Sequence, residues 1–129
     1  MAKRPELSKG EIVVARAVWQ LGEGTVGAVF EEVSRSGDMD YSTVQTYLRR
    51  LEQKGYVRAQ RQGRSKLYSA KVQAGSVIRE IVGDLVERLF GGETISMMNH
   101  LVRDHALTRD DREQLRKLLD ELEESSDGQ

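Results

Sequence analysis

The chain has no cysteine and a single proline, Pro5. Without thiols it has no disulfides, no thiolate metal sites and no cysteine nucleophile. It also lacks any apolar run of about 18 residues, the length a membrane-spanning helix needs. The opening Met-Ala-Lys-Arg-Pro carries no apolar signal-peptide core, so the expected location is the cytoplasm, with no membrane partner. No glycine-rich phosphate loop, paired-carboxylate motif or Ser-His-Asp arrangement is present, which argues against an enzyme. His100 and His105 are five apart, off the i,i+4 spacing that two ligands on one helical face would use. They are read as surface or packing residues, and neither a metal nor a cofactor is expected. Internal repeats and low-complexity tracts are absent as well.

What is present is charge and helix-forming sequence. Of 129 residues, 38% are hydrophobic and 32% charged, a balance suited to a soluble protein rich in exposed helix and to one or two small domains. The net charge of −1 conceals an asymmetry. Residues 1–72 hold 13 Lys+Arg against 8 Asp+Glu, and residues 73–129 hold 7 against 13. A basic front suits a polyanion, and an acidic back stays off it.

The stretch from Asp40 to Lys66 organises the rest. Val44, Tyr47, Leu48 and Leu51 fall at i, i+3, i+4 and i+7, one apolar stripe on a helix from Tyr41 to Lys54. Ser42, Gln45, Thr46, Arg49 and Gln53 lie on the opposite face, with Thr43 and Arg50 at its margin. This face reads as free of acid and rich in hydroxyls, amides and guanidinium groups, which read base edges and grip phosphates. Tyr56–Arg61 and Lys66–Ala70 then flank a Gln62-Gly63-Arg64-Ser65 turn, a hairpin studded with Arg58, Arg61, Arg64 and Lys66. A polar-faced helix followed by a basic hairpin is the layout of a winged helix-turn-helix. The plainer alternative is a solvated helix face and an ordinary hairpin, but such a face normally mixes both signs of charge.

Before this stretch, residues 1–6 are polar and expected to fray. Ser8 and Glu11 form a capping box, with Leu7 and Ile12 as a hydrophobic staple. The first helix reaches about Leu21, turning Ile12, Ala15, Val18 and Trp19 to the core, and ends at Gly22. Thr25 caps a second helix to about Ser34, buried through Val26, Val29, Phe30 and Val33. Asp40 is placed as the cap of the third helix, and Gly55 ends it.

The character changes near Lys71, so residues 1–71 are read as the winged-helix domain and 72–129 as a helical one. Val77, Ile78, Ile81, Val82, Leu85, Val86, Leu89 and Phe90 make a wide stripe on a helix ended by Gly91-Gly92. A helix from Thr94 carries Ile95, Met98, Leu101 and Val102. Another, opened by Thr108 and Asp111 as a capping box with Asp in the Glu place, carries Leu115, Leu118, Leu119 and Leu122. The tail from Glu123 to Gln129 reads as loose. Three helices of this size bury little of such stripes alone, so a second copy is the expected partner, through Ile78, Ile81, Val82, Leu85, Leu89, Leu101, Leu115, Leu118, Leu119 and Leu122. Packing back on the front domain is the alternative.

The run Ser42-Thr43-Val44-Gln45-Thr46, then Leu48 to Val57, then Gly63-Arg64 and Tyr68, resembles the penicillinase-repressor family of bacterial winged-helix repressors. Leu7-Ser8-x-x-Glu11, Val18-Trp19, the Gly91-Gly92 linker and Leu107-Thr108 fit the same pattern, over roughly residues 6–122. The resemblance implies a mainly α protein: three helices and a β-hairpin wing, then a three-helix dimerisation region. It implies a homodimer on a palindromic double-stranded operator. Resistance-type members are released by a regulatory protease cutting an Asn-Phe bond in the C-terminal domain. Here the aligned segment is Asn99, His100 and Leu101, so Asn-Phe is absent. The cysteine hook of copper-responsive relatives is absent too.

On this reading Thr43, Gln45 and Thr46 sit nearest the bases, Ser42, Arg49 and Arg50 clamp phosphates, and Arg61, Arg64 and Lys66 in the wing follow the backbone or minor groove. Two rivals remain open at this point: a winged-helix repressor released by a small molecule, and a winged helix serving only as a protein–protein module.

Overall fold

The computed structural model describes residues 4–127. Its order is α1 (Lys9–Leu21), β1 (Glu23–Gly24), α2 (Val26–Ser36), α3 (Tyr41–Lys54), β2 (Val57–Gln62), β3 (Ser65–Ala70), α4 (Ala74–Phe90), α5 (Thr94–Asp104) and α6 (Arg109–Asp127). Three helices and a small antiparallel sheet of order β1-β3-β2 make the winged helix-turn-helix, and helices make the rest. The described chain divides into two compact units, one ending at Ile81 and the other beginning at Val82.

In the first unit α1, α2 and α3 enclose a core of Val14, Val18, Val29, Val33, Val44, Leu48 and Leu51, closed by Val57 and Tyr68 from the wing and by Val77 from the first turns of α4. Val77 therefore leaves the apolar stripe that the sequence assigned to its helix. The Ser8 cap forms as expected: its hydroxyl accepts from the Glu11 amide at 3.2 Å, and Glu11 accepts from the Ser8 amide at 2.8 Å. Ala15 and Val18 are buried and Trp19 packs against the core as expected, and only the first position of that face differs. Ile12 is 38% exposed, whereas Glu11 is buried. The reason lies 43 residues away, where Lys54 Nζ donates to Glu11 Oε1 at 2.6 Å and makes a buried carboxylate tolerable.

Residues 4–6 are not frayed. The Pro5 carbonyl accepts from Tyr56 Oη at 2.8 Å, and the Glu6 carbonyl accepts from Lys54 Nζ at 2.7 Å. Arg4 lies 5.5 Å from the centre of the Tyr56 ring and 3.5 Å from Glu80. Residues 1–3 of that segment lie outside the described residues. Asp40 occupies the N-cap position of α3 in extended backbone but makes no side-chain capping bond.

The wing turns on Gly63 and Arg64, between partners Gln62 and Ser65. Gly63 has φ 65°, the positive value that the first central residue of a tight two-residue hairpin of this kind requires. The short strand β1 pairs Glu23 with Ser69 and Gly24 with Tyr68, tying the wing to the α1–α2 connection. Nothing in two residues announces a strand, and the sequence reading had none there.

The second unit holds the rest of α4 with α5 and α6. Gly91 and Gly92, at φ 59° and 84°, end α4. Thr108 and Asp111 form the reciprocal cap expected of them, both bonds at 3.0 Å. The tail is not loose from Glu123: α6 continues to Asp127, since residues 109–127 hold no glycine or proline to stop it. Residues 128 and 129 lie outside the description. Among the described residues no helix is long and apolar enough to cross a membrane.

Candidate nucleic-acid interface

Helix α3 holds its position through Val44, Leu48 and Leu51, all fully buried, which turns Ser42, Gln45, Arg49, Arg50 and Gln53 out to solvent. Thr43 and Thr46 are half-buried beside them. The Thr46 hydroxyl donates to the Ser42 carbonyl at 3.0 Å.

The candidate residues fall into two concavities on either side of α3. Gln45 and Arg49 share a groove of about 580 Å³ with Arg64 and Lys66 of the wing, and with Thr25, Val26 and Gly27 at the start of α2, Tyr41, Ser65 and Tyr68. No acid lines it. Ser42, Thr43, Thr46 and Arg50 share a smaller hollow of about 230 Å³ with Tyr47. Arg61 is exposed on β2, paired with Lys66, and belongs to neither. Thr25 and Tyr41 were not singled out from the sequence. Thr25 read only as a cap, a role it fills by accepting from the Ala28 amide at 3.2 Å. Tyr41 packs edge-on against Phe30 at 5.6 Å, a contact between two helices that no local spacing reveals.

Burial pushes the Tyr68 phenol up from its ordinary pKa, the charge of Glu52 pushes it further, and Arg49 partly offsets both. Glu52 thus sits near the groove, half-buried, seven residues along α3 from Gln45 and on nearly the same line. The outer face is free of acid only as far as this last turn. Behind the helix, burial by itself would raise the Glu11 pKa. The hydrogen bond and charge of Lys54, with the two Ser8 bonds, outweigh burial and hold it below 4.5. That pair joins the start of α1 to the end of α3.

In the second unit Asn99, His100 and Leu101 lie in the middle of α5. Asn99 Nδ2 donates to the Ile95 carbonyl at 3.2 Å, and His100 Nδ1 lies 3.0 Å from Asp104 Oδ2. Ile78, Ile81, Val82, Leu85, Leu89, Leu101, Leu118, Leu119 and Leu122 are exposed on the chain by itself, Leu89 at 70% and Leu122 at 67%. Leu115 is half-buried, in an apolar groove of about 430 Å³ with Met98, Leu101, Val102, Leu107 and Leu118.

The same architecture is found in known proteins. A penicillinase repressor from Bacillus licheniformis is 25% identical over 94% of this chain and 94% of its own length. The methicillin resistance regulatory protein MecI of Staphylococcus aureus is 22% identical over 91% of this chain and 95% of its own. The solution structure of the DNA-binding domain of the repressor BlaI is 28% identical, covers 57% of this chain and 90% of that domain, and superposes with a TM-score of 0.51. The Penicillinase repressor family model matches residues 7–121, nearly the whole chain, and this protein belongs to that family, one of transcriptional repressors and not of enzymes.

Proposed function

We propose that this chain is a cytoplasmic, sequence-specific DNA-binding repressor that acts as a homodimer on a palindromic operator. The observation that carries the reading is the shared groove. Gln45 and Arg49 from α3 meet Arg64 and Lys66 from the wing along one concave surface with no acid in its lining. A helix laid in the major groove would bring Gln45, Thr43 and Thr46 to base edges, where a glutamine amide pairs with adenine and a threonine methyl meets thymine methyl. Arg49, Arg50 and Ser42 would meet phosphates, and Arg61, Arg64 and Lys66 would follow the backbone alongside. The DNA-binding domain of the repressor BlaI supports the assignment by likeness.

The dimer reading rests on the second unit. A single chain leaves Leu85, Leu89, Leu118, Leu119 and Leu122 open to water, and large apolar side chains exposed in such number mark an interaction surface. We assign residues 72–129 to this dimerising role and residues 1–71 to DNA. Derepression by a regulatory protease fits the same surface. A cut at Asn99, His100 or Leu101 needs extended chain, so α5 must first unwind. α5 has no buried residue, which keeps local opening cheap, and Leu101 belongs to the apolar surface that a cut would disrupt.

The test is selection of bound duplexes from genomic fragments by the purified chain across a salt series. A palindrome with half-sites about one helical turn apart is the expected result. Binding without sequence preference, lost at moderate salt, would leave only an electrostatic surface and overturn the reading. A small molecule that shifts operator affinity would instead identify a ligand-released repressor.

A further inference from the structure

The geometry points to Tyr47 and Gly10 as positioning residues that hold Arg50 ready for a DNA phosphate, an inference that rests on the DNA-binding reading above.

Arg50 Cζ lies over the Tyr47 ring, 5.6 Å from its centre. The two are one turn apart on α3 and line the same hollow as Ser42, Thr43 and Thr46. A guanidinium on an aromatic face keeps its charge and its donor edges while giving up rotamer freedom before DNA arrives. Less ordering then remains to be done on binding. Tyr47 needs a seat of its own, and Gly10 supplies it. A Cβ on Gly10 would fall 2.5 Å from Tyr47 Cε2 and Cζ and 2.6 Å from its hydroxyl oxygen, closer than packed atoms approach. The ring therefore lies flush on the backbone of α1 only because residue 10 has no side chain. The other arginine of this pair, Arg49, faces the opposite groove beside Tyr68. The device is specific to Arg50.

In this arrangement Tyr47 touches no DNA and acts through Arg50. Gly10→Ala displaces the outer end of the ring, which a side chain can accommodate, so the fold survives and the seat is lost. Tyr47→Leu keeps an apolar side chain at the position but removes the aromatic face. Tyr47→Phe keeps the face and removes only the hydroxyl.

The experiment is a double-mutant cycle on the full chain. Fluorescence anisotropy would follow binding to a duplex selected by the wild type and to a random-sequence duplex, with thermal melts of every variant. Tyr47→Leu and Gly10→Ala are expected to weaken binding about three- to tenfold, equally on both duplexes because a phosphate contact carries no sequence information. Neither should weaken it further when Arg50 is already alanine, and Tyr47→Phe should rescue the loss seen in Tyr47→Leu. Equal losses with and without Arg50, or none in the wild-type background, overturn the inference while DNA binding stands. If Arg50→Ala itself changes nothing, Tyr47 has nothing to position and the inference also fails. A wild-type chain that binds neither duplex removes the DNA reading itself.

Discussion

Glu11 accepts from two partners at the scale of single residues, the Ser8 amide three residues before it and Lys54 Nζ 43 residues after it. Ser8 with Glu11, and Thr108 with Asp111, announce themselves because the partners are three apart. That Glu11 is also the buried partner of Lys54 cannot be read locally, and the sequence reading spent Ile12 on the core instead. Glu11→Gln keeps the Ser8 amide bond and removes only the charge facing Lys54. It should destabilise the first unit by about 2 kcal/mol at neutral pH. The folded Glu11 pKa lies below 4.5, so its contribution is fully present above that value and is lost as pH falls through the folded pKa. Urea titrations at neutral and acid pH check this: the gap between wild type and variant should close in acid, and a gap that persists would mean the charge is not what is lost. The two polar residues of the main groove should separate by role. Arg49→Ala is expected to weaken binding to every sequence and to flatten the salt slope by about 0.9 for each phosphate left without its cation. Gln45→Ala should relax discrimination between operator variants with the slope intact. A slope matching wild type in the first, or unchanged discrimination in the second, would reject the corresponding role.

Among elements, the helices were readable because each carries a stripe at helical spacing and a start or stop signal, Gly55 and Gly91-Gly92 above all. The hairpin was readable from Gly63. Lost at this scale were β1, whose two residues hold no pattern, the burial of Val77 among the helices of the first unit, and the continuation of α6 through its acidic end. Each depends on a neighbour distant in sequence, or on the absence of a stop. The turn offers a direct check. Gly63→Ala places a side chain at φ 65° with open space around it, so the penalty is backbone strain alone, about 1 kcal/mol. Hydrogen exchange should show it as faster opening of β2 and β3 without change in α1. Protection unchanged in both strands would contradict a strained turn. The exposed leucines of α4 make a second check: Leu85→Glu should shift the chain from dimer to monomer in sedimentation, with the melting of the first unit unaltered. A dimer that persists would point to another surface.

For the molecule as a whole, the proposed function has the two halves divide the work by charge. A net excess of five positive charges over residues 1–72 is modest for a duplex-binding surface, so one copy by itself should bind weakly. Coupling two copies raises the effective concentration of the second and lifts affinity by about a hundredfold or more without any added interaction. The monomeric Leu85→Glu variant should therefore lose about that factor on a full palindrome and little on a half-site. Equal losses on both would mean that the substitution harms the winged helix itself. Family and fold could be reached from the chain alone, and so could Gln45, Arg49, Arg64 and Lys66 of the groove, but not Thr25 and Tyr41. The seat of the Tyr47 ring against Gly10 joins residues 37 apart and is visible only in the packed structure.

Trp19 is the chain's single tryptophan, and its indole N–H donates to the Val72 carbonyl at 2.9 Å, where the backbone leaves β3 for α4. The molecule therefore carries its own optical gauge at that joint. Ultraviolet emission excited at tryptophan comes from one known place, and Trp19 is not among the residues that line the groove with Gln45 and Arg49. A shift in that emission on adding DNA would mean that the joint moves when the operator is bound. A constant signal would mean that the winged helix docks as a preformed body, and in either case no label need be attached.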